Sequence, residues 1–193
     1  MLAYIFWHHP RPDVDVAAYE RALHDFHRAL GESGAEGFVR SETFRVSGAS
    51  WINDGGDAYA DWYLVAGSFA LDPLNEIAVS GARRPGHDEA AAWSARGAGG
   101  LYRLLEGEAE LDAPVIERWL TKPRGTSYEE FYGWARPRAR EGGELWRRQM
   151  VLGPAPEFCL LSGSELRPPS GVELLEVRRS PLIPEQNQAV ERR

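Results

Sequence analysis

The stretch Trp62-Tyr63-Leu64-Val65-Ala66-Gly67-Ser68 is echoed later in the chain by Phe158-Cys159-Leu160-Leu161-Ser162-Gly163-Ser164. In the same way, Leu104-Leu105-Glu106 is echoed by Leu174-Leu175-Glu176. Resemblance between separate parts of one chain indicates a repeated structural unit. We therefore predict that the two halves of this 193-residue chain follow one structural plan.

The echo also predicts which positions are equivalent. Leu64 and Leu160 should occupy equivalent environments in equivalent strands, and Trp7 should correspond to Trp119. The two halves should then superpose as four-stranded antiparallel sheets.

Six elements are predicted in the first half. Tyr19, Leu23, Phe26 and Leu30 recur at helical spacing after Asp15, a residue type that caps helices, and form one apolar stripe. The order is strand, helix, strand, strand, helical segment, strand, over Leu2–His9, residues 15–30, Phe38–Val46, Ala60–Phe69, Pro73–Ala98 and Leu101–Glu106. Gly97-Ala98-Gly99-Gly100 is interpreted as the turn before the last strand.

The second half repeats this order with one deletion. Ser127 and Glu130 form the pattern of a capping box, and Pro137 is expected to end or bend that helix early. Pro168 and Pro169 lie where the crossover helix should be, so a short loop is expected there. The predicted strands are Val115–Leu120, Glu144–Leu152, Glu157–Ser162 and Val172–Arg178.

A β-α-β-β-α-β unit is ferredoxin-like, and two such sheets can bury their apolar faces against each other. On this element order the chain, over roughly residues 2–180, resembles the dimeric α+β barrel superfamily. That superfamily includes cofactor-free monooxygenases, EthD-like proteins, muconolactone-isomerase-like proteins and haem-binding relatives. The expected fold class is α+β, with two ferredoxin-like repeats packed sheet to sheet as an intrachain α/β barrel. The expected domains are 1–110, a shortened repeat at 111–180, and a flexible tail at 181–193.

Composition restricts the partners. The net charge is −7 and the basic residues form no long run, which argues against nucleic acid and anionic membranes. Met1–Trp7 is too short and uncharged for a signal peptide, and Cys159 is the single cysteine, so we expect a cytoplasmic protein. The expected partner is a small molecule, and a homodimer is left open.

The histidines are candidates for acid–base chemistry near neutral pH. His8 and His9 end the first strand, and His24 and His27 share one flank of the first helix. Because His27 follows the buried stripe, we predict that it lies closer to the sheet than His24. Surface histidines would give the same pattern.

A metal site is an alternative for the same histidines. His8 or His9 could join His27 with Glu20 or Glu42 as ligands.

Aromatic and charged strand residues are candidates for ligand binding. The aromatic ones, which core packing would explain equally, are Trp7, Trp62, Tyr63 and Tyr102. Arg40 and Glu42 share a strand face with Phe38 and Phe44, so this ion pair either orients a ligand or lies at an edge that reaches water.

Aspartates near the glycine-rich loop, Asp54, Asp57 and Asp61, lack the spacing of a calcium loop. We interpret all three as turn residues. No nucleophile elbow, phosphate-binding glycine loop or dinucleotide fingerprint occurs in the sequence.

These observations and the resemblance together predict binding of a small aromatic molecule in the first repeat, with cofactor-independent monooxygenase or isomerase-type chemistry. The candidate catalytic residues are His8, His9, His27 and Arg40, and the candidate ligand-binding residues are Trp7, Glu42, Trp62, Tyr63 and Tyr102. No cofactor and no metal is expected. The alternatives are a non-catalytic ligand-binding or stress-responsive barrel, and a haem or metal protein that uses histidine.

The deletion in the second half predicts the number of pockets. Residues 73–98 can roof a cavity over Trp62, Arg40 and the end of the first strand, whereas the second half has too little chain for a roof. One pocket per chain is expected.

Overall fold

The computed structural model describes residues 1–111, 115–150, 153–163 and 166–182. The predicted tail from residue 183 onward and Ser164 of the second echo lie outside these residues. None of the helices in the described residues is long and apolar enough to span a membrane.

Eight strands and four α-helices occur in the described residues. The strands are β1 (Leu2–Pro10), β2 (Phe38–Ser47), β3 (Ala58–Val65), β4 (Ser94–Glu106), β5 (Val115–Thr121), β6 (Glu144–Arg148), β7 (Phe158–Leu161) and β8 (Glu173–Pro181). The α-helices are α1 (Val16–Gly31), α2 (Leu71–Ala78), α3 (Arg84–Trp93) and α4 (Tyr128–Arg140).

The predicted helix starts are confirmed. The Asp15 carboxylate accepts a hydrogen bond from the Ala18 backbone N–H at the start of α1. Ser127 and Glu130 form the capping box of α4. Pro137 does not end the helix, because α4 continues through it to Arg140.

The strands close into one antiparallel barrel in the order β1-β3-β2-β8-β5-β7-β6-β4, and β4 pairs back onto β1. The α+β barrel predicted from the sequence is therefore confirmed. Within the first half the strand order is β4-β1-β3-β2, and within the second it is β8-β5-β7-β6, which is the same relative order. The halves join where β2 pairs with β8 and where β4 pairs with β6.

Tryptophans fill the barrel interior. Strand side chains alternate between the two faces of a sheet, so every second residue points inward. The rings of Trp7 and Trp119 meet edge to face at 5.4 Å, and those of Trp62 and Trp146 meet in the same way at 5.5 Å. This central cluster takes residues from all eight strands and holds the two halves together.

The interior also contains charge. The Arg179 guanidinium is fully buried, 3.4 Å from the Glu117 carboxylate, and it lies over the ring of Phe44. Glu117 accepts a hydrogen bond from the Trp119 indole at 2.9 Å. Burial raises the pKa of Glu117, and the Arg179 charge acts in the opposite direction.

The equivalence predicted from the echo is wrong in register. Leu64 points into the barrel interior, whereas Leu160 packs on the outer face beneath α4. Trp7 and Trp119 do both point inward, and they pair with Ala60 and Cys159 respectively. The echo therefore aligns inward-facing residues of β3 with outward-facing residues of β7. A shift of the alignment by one residue reverses the face assigned to every side chain.

Strand β4 begins at Ser94, seven residues before its predicted start at Leu101. The glycines interpreted as a turn lie inside this strand, where Gly97 pairs with His8, Gly99 with Phe6 and Gly100 with Ile5 of β1. A Cβ atom on Gly97 would collide with the Phe6 ring, so only glycine allows this ring to pack against β4.

Strand β2 has an irregular register between Phe38 and Arg40. Phe38 therefore packs on the outer, helix-covered face, while Phe44 points into the barrel interior. The prediction that these two rings share a face is wrong.

Candidate functional site

A cavity of about 750 Å³ lies between the outer face of the first-half sheet and helices α1, α2 and α3. Its walls are mostly apolar and include Phe6, Leu23, Phe26 and Leu74. Helices α2 and α3 form the roof, in the segment 73–98 from which a roof was predicted. Pockets of this size with a few polar groups are typical of small-molecule sites.

Asp61 is the centre of the polar floor. Its side chain is 5% exposed and belongs to β3, so the interpretation of Asp61 as a turn residue is wrong. Thr43 donates a hydrogen bond to Oδ1 at 2.8 Å, and the Tyr63 hydroxyl donates one to Oδ2 at 3.1 Å.

Two histidines flank this carboxylate. His8 Nε2 lies 3.2 Å from Oδ2 of Asp61, and His27 Nε2 lies 3.3 Å from Oδ1. The other ring nitrogens also have partners, since His8 Nδ1 is 2.6 Å from the Tyr19 hydroxyl and His27 Nδ1 is 2.8 Å from the Ser41 hydroxyl. The buried Asp61 carboxylate therefore contacts two imidazoles at once, one at each oxygen.

Electrostatics keep Asp61 ionised. Burial alone would raise its pKa, but the opposing effects of His8 and His27 hold the pKa of Asp61 well below its usual value. Burial and the Asp61 charge raise the pKa of Tyr63 well above its usual value, so Tyr63 remains a protonated donor.

The arrangement can accept a proton. A carboxylate beside Nε2 of each histidine favours the tautomer with hydrogen on Nε2, which leaves the lone pair on Nδ1. When such an imidazole takes a proton, the adjacent Asp61 stabilises the resulting positive charge. The arrangement is chemically suited to general base chemistry beside a mostly apolar cavity.

Three of the predicted site residues come together here. His8, Tyr63 and His27 surround Asp61, and the first two line the cavity. His27 is buried while His24 is 39% exposed at its side chain, which confirms the predicted difference between them.

The other predicted site residues lie elsewhere. The aromatic side chains of Trp7, Trp62 and Tyr102 are fully buried in the barrel interior, on the opposite face of the sheet from the cavity. Their positions follow from strand alternation, because each neighbours a residue that faces the helices.

The predicted charged candidates are also outside the cavity lining. Arg40 and Glu42 pair at 2.9 Å with both side chains partly exposed, and they share the sheet face of Trp62. His9 is half-buried and its Nδ1 lies 3.1 Å from the Pro10 carbonyl oxygen.

The sequence interpretation does not assign several cavity-lining residues to the site, among them Tyr4, Asp61 and His87. A charged residue between Ala60 and Trp62 in an apolar strand was the available signal for Asp61. His87 reaches the cavity from α3, and its position depends on how that helix packs.

The buried histidines do not fit the haem or metal alternative. A metal ligand must offer an imidazole lone pair. In both His8 and His27, Nε2 lies within 3.3 Å of Asp61. Nδ1 lies within 2.8 Å of a hydroxyl, which belongs to Tyr19 for His8 and to Ser41 for His27. Neither ring therefore has a nitrogen without a partner for a metal ion. Over the described ranges, no three His, Cys, Asp or Glu side chains are arranged to hold a metal ion.

Comparison with solved structures places the chain in a known fold. It superposes on an anthrone oxidase-like protein with a TM-score of 0.53 and 7% identity, covering 93% of this chain and 91% of the other. A candidate monooxygenase from Lactobacillus acidophilus gives a TM-score of 0.55 and 8% identity, with coverage of 92% and 93%. A candidate chlorite dismutase gives a TM-score of 0.52 and 12% identity, covering 94% of this chain and 95% of the other.

These similarities show that the chain shares the overall fold of these three proteins, which here is an α+β barrel. No protein-family model matches the sequence, and no curated protein matches it significantly.

Proposed function

We propose that the chain binds a small hydroxylated aromatic or aromatic carbon-acid molecule in the cavity and removes a proton from it. One observation carries the proposal: the polar floor made by His8, Asp61 and Tyr63 lies within a mostly apolar cavity. The apolar walls favour a flat ring, and the floor provides a base beside an ionised carboxylate.

The proposed reaction class is cofactor-independent oxygenation. Anthrone is a suitable probe, because loss of a proton from its acidic carbon gives a stabilised anion that O₂ can oxidise. In the net reaction anthrone loses two hydrogen atoms and gains one oxygen atom, and the second oxygen atom leaves as water. His8 receives the first proton, and the imidazolium beside Asp61 stabilises the anion.

Replacing His8 by glutamine is expected to reduce anthrone oxidation at least about 100-fold, which is the low end of the contribution of a general base. Glutamine keeps hydrogen-bonding capacity but cannot accept the proton. Anthraquinone absorbance and O₂ uptake measure the rate.

His9→Gln is the matched control for this experiment, because His9 is the next residue and does not line the cavity. Its rate should stay within about twofold of the wild-type rate. Equal losses in the two variants would contradict the assignment of His8 as the base.

One molecule of 4-nitrophenol is expected to bind per chain. In the described residues, the first half has the three helices α1, α2 and α3 over its sheet, whereas the second half has α4 alone. Titration calorimetry gives the stoichiometry. Two equivalent sites would show that the second half also forms a pocket.

A non-catalytic ligand-binding module is the second candidate, since the short contacts of Nδ1 in both histidines leave no nitrogen open to the cavity. Binding of 4-nitrophenol without turnover of anthrone would favour it.

We also infer that the two halves are diverged copies of one ferredoxin-like unit in a cytoplasmic protein. The shared strand order and the inward positions of Trp7 and Trp119 support this inference. Superposition of the two sheets in an experimental structure, with Trp7 placed on Trp119, tests the duplication.

A further inference from the structure

His27 belongs to a second polar group, which lies between β2 and α1. The Ser41 hydroxyl is 2.8 Å from His27 Nδ1, and His27 Nε2 is 3.3 Å from Oδ1 of Asp61. His8 and Tyr63 contact the other carboxylate oxygen, Oδ2. Neither Ser41 nor His27 lines the cavity, so the proton transfer proposed there does not use them.

The imidazole of His27 is held in a defined position. Its side chain is 7% exposed, and its ring stacks on that of Tyr63 at 5.2 Å. Because the Asp61 carboxylate faces Nε2, the tautomer with hydrogen on Nε2 is favoured. Nδ1 then offers its lone pair to the Ser41 O–H, which is the donor in the short contact. His27 is therefore placed to take a proton from this hydroxyl.

Ser41 is the member of this group that a molecule from outside can approach. It lies on β2 and is half-buried, whereas His27 and Asp61 are buried. A hydroxyl beside a base that is oriented by a third group is the arrangement of an activated nucleophile. The partial cover of Ser41 restricts its reaction partner to a small one.

We propose that Ser41, His27 and Asp61 form a second active site, in which Ser41 is the nucleophile toward small activated carboxylic esters. The Ser41 oxygen bonds to the carbonyl carbon, and its proton passes to His27 Nδ1. The bond from this carbon to the alcohol oxygen breaks, and the alcohol leaves with that proton.

Water then cleaves the acyl-serine. It gives one proton to His27 Nδ1 and bonds to the carbonyl carbon, the bond to the Ser41 oxygen breaks, and the proton returns from His27 to Ser41. The net reaction is hydrolysis of the ester to a carboxylic acid and an alcohol. Asp61 stays ionised beside the imidazolium in both steps and stabilises it.

Methanesulfonyl fluoride tests the nucleophile in the wild-type protein, because this small reagent sulfonylates an activated serine oxygen and releases fluoride. We expect one methanesulfonyl group per chain, located on Ser41 by mass spectrometry of the digested protein. Ser41→Ala should take up none. Ser47→Ala is the matched control, because Ser47 ends the same strand, and it should be labelled like the wild type. A wild-type protein that is not labelled at Ser41 would overturn the proposal.

The role of His27 is tested with 4-nitrophenyl acetate, whose hydrolysis releases coloured 4-nitrophenolate. The rate that remains in Ser41→Ala is subtracted as background. His27→Gln cannot take the proton and should lower the rate at least about 100-fold, the low end of the contribution of a general base. His24→Gln, on the same helix with its side chain exposed, should react at the wild-type rate. A full rate in His27→Gln would contradict the assignment of His27 as the base.

The outcomes separate this site from the cavity. Labelling of Ser41 without turnover of anthrone would support the second active site and contradict the proposed function. Turnover of anthrone without labelling of Ser41 would overturn the second active site and leave the proposed function standing. Asp61→Asn should slow both reactions, because its carboxylate contacts His8 and His27 at once.

Discussion

Replacing Asp61 by asparagine is expected to reduce anthrone oxidation at least about 100-fold, because the carboxylate both orients His8 and stabilises its charged form. Asparagine has nearly the same shape, but its amide turns N–H donors toward neighbours that are donors themselves. The rate of anthraquinone formation, compared between the variant and the wild type, measures this loss.

The same variant has an expected pH signature. The pKa of Asp61 in the folded protein lies below its unfolded value, so the ionised carboxylate contributes stability above about pH 4 that is lost as the pH falls. Breaking such a buried charge network costs about 3–5 kcal/mol at neutral pH. The free energy of unfolding of Asp61→Asn should therefore be lower at pH 7 and fall less toward pH 3 than that of the wild type.

Asp57→Asn is the control for both measurements, because Asp57 is an exposed aspartate just before β3. Its rate and its unfolding curve should match the wild type. If Asp61→Asn behaved like Asp57→Asn, the central role of Asp61 would be refuted.

Replacing Trp62 by alanine is expected to lower the free energy of unfolding by about 3–5 kcal/mol, which is the usual cost of deleting a large buried ring. Trp62 is fully buried, packs edge to face on Trp146 at 5.5 Å and lies beneath the Arg179 guanidinium. Urea unfolding measures the loss. Binding of 4-nitrophenol to the folded protein should stay unchanged, since Trp62 faces away from the cavity.

Trp134→Ala is a matched control, because Trp134 is only partly buried on α4. Trp134→Ala should lower the free energy of unfolding by less than half as much as Trp62→Ala does. A Trp62→Ala protein that is fully stable but no longer binds 4-nitrophenol would show that the original assignment of Trp62 to the ligand site was right.

The barrel could be predicted from the sequence because its elements have strong local signals. The stripe from Tyr19 to Leu30 and the capping box at Ser127 depend on residues close together in the chain, and both were interpreted correctly. The echo of Trp62–Ser68 was a weaker guide. It indicated a second strand of the same kind, but which face each side chain takes depends on the register of pairing with neighbours, and one residue of slip reverses it.

The site was only partly predictable for a related reason. His8, His27 and Tyr63 were identified by residue type, but Asp61, which connects them, was assigned to the preceding loop. Its role appears only when β3 lies between β1 and β2, so that residues distant in sequence meet at one carboxylate. The position of the cavity depends in addition on how α2 and α3 pack over the sheet.

The single-chain closure of the barrel has a consequence for how this protein can change over time. Two identical subunits that share a barrel must carry every substitution twice, so a change that improves one pocket alters its counterpart equally. Here β2 pairs with β8 and β4 with β6 inside one polypeptide, and each half is encoded separately. Selection can therefore change the cavity above the first sheet while the second half is free to specialise in holding the barrel closed.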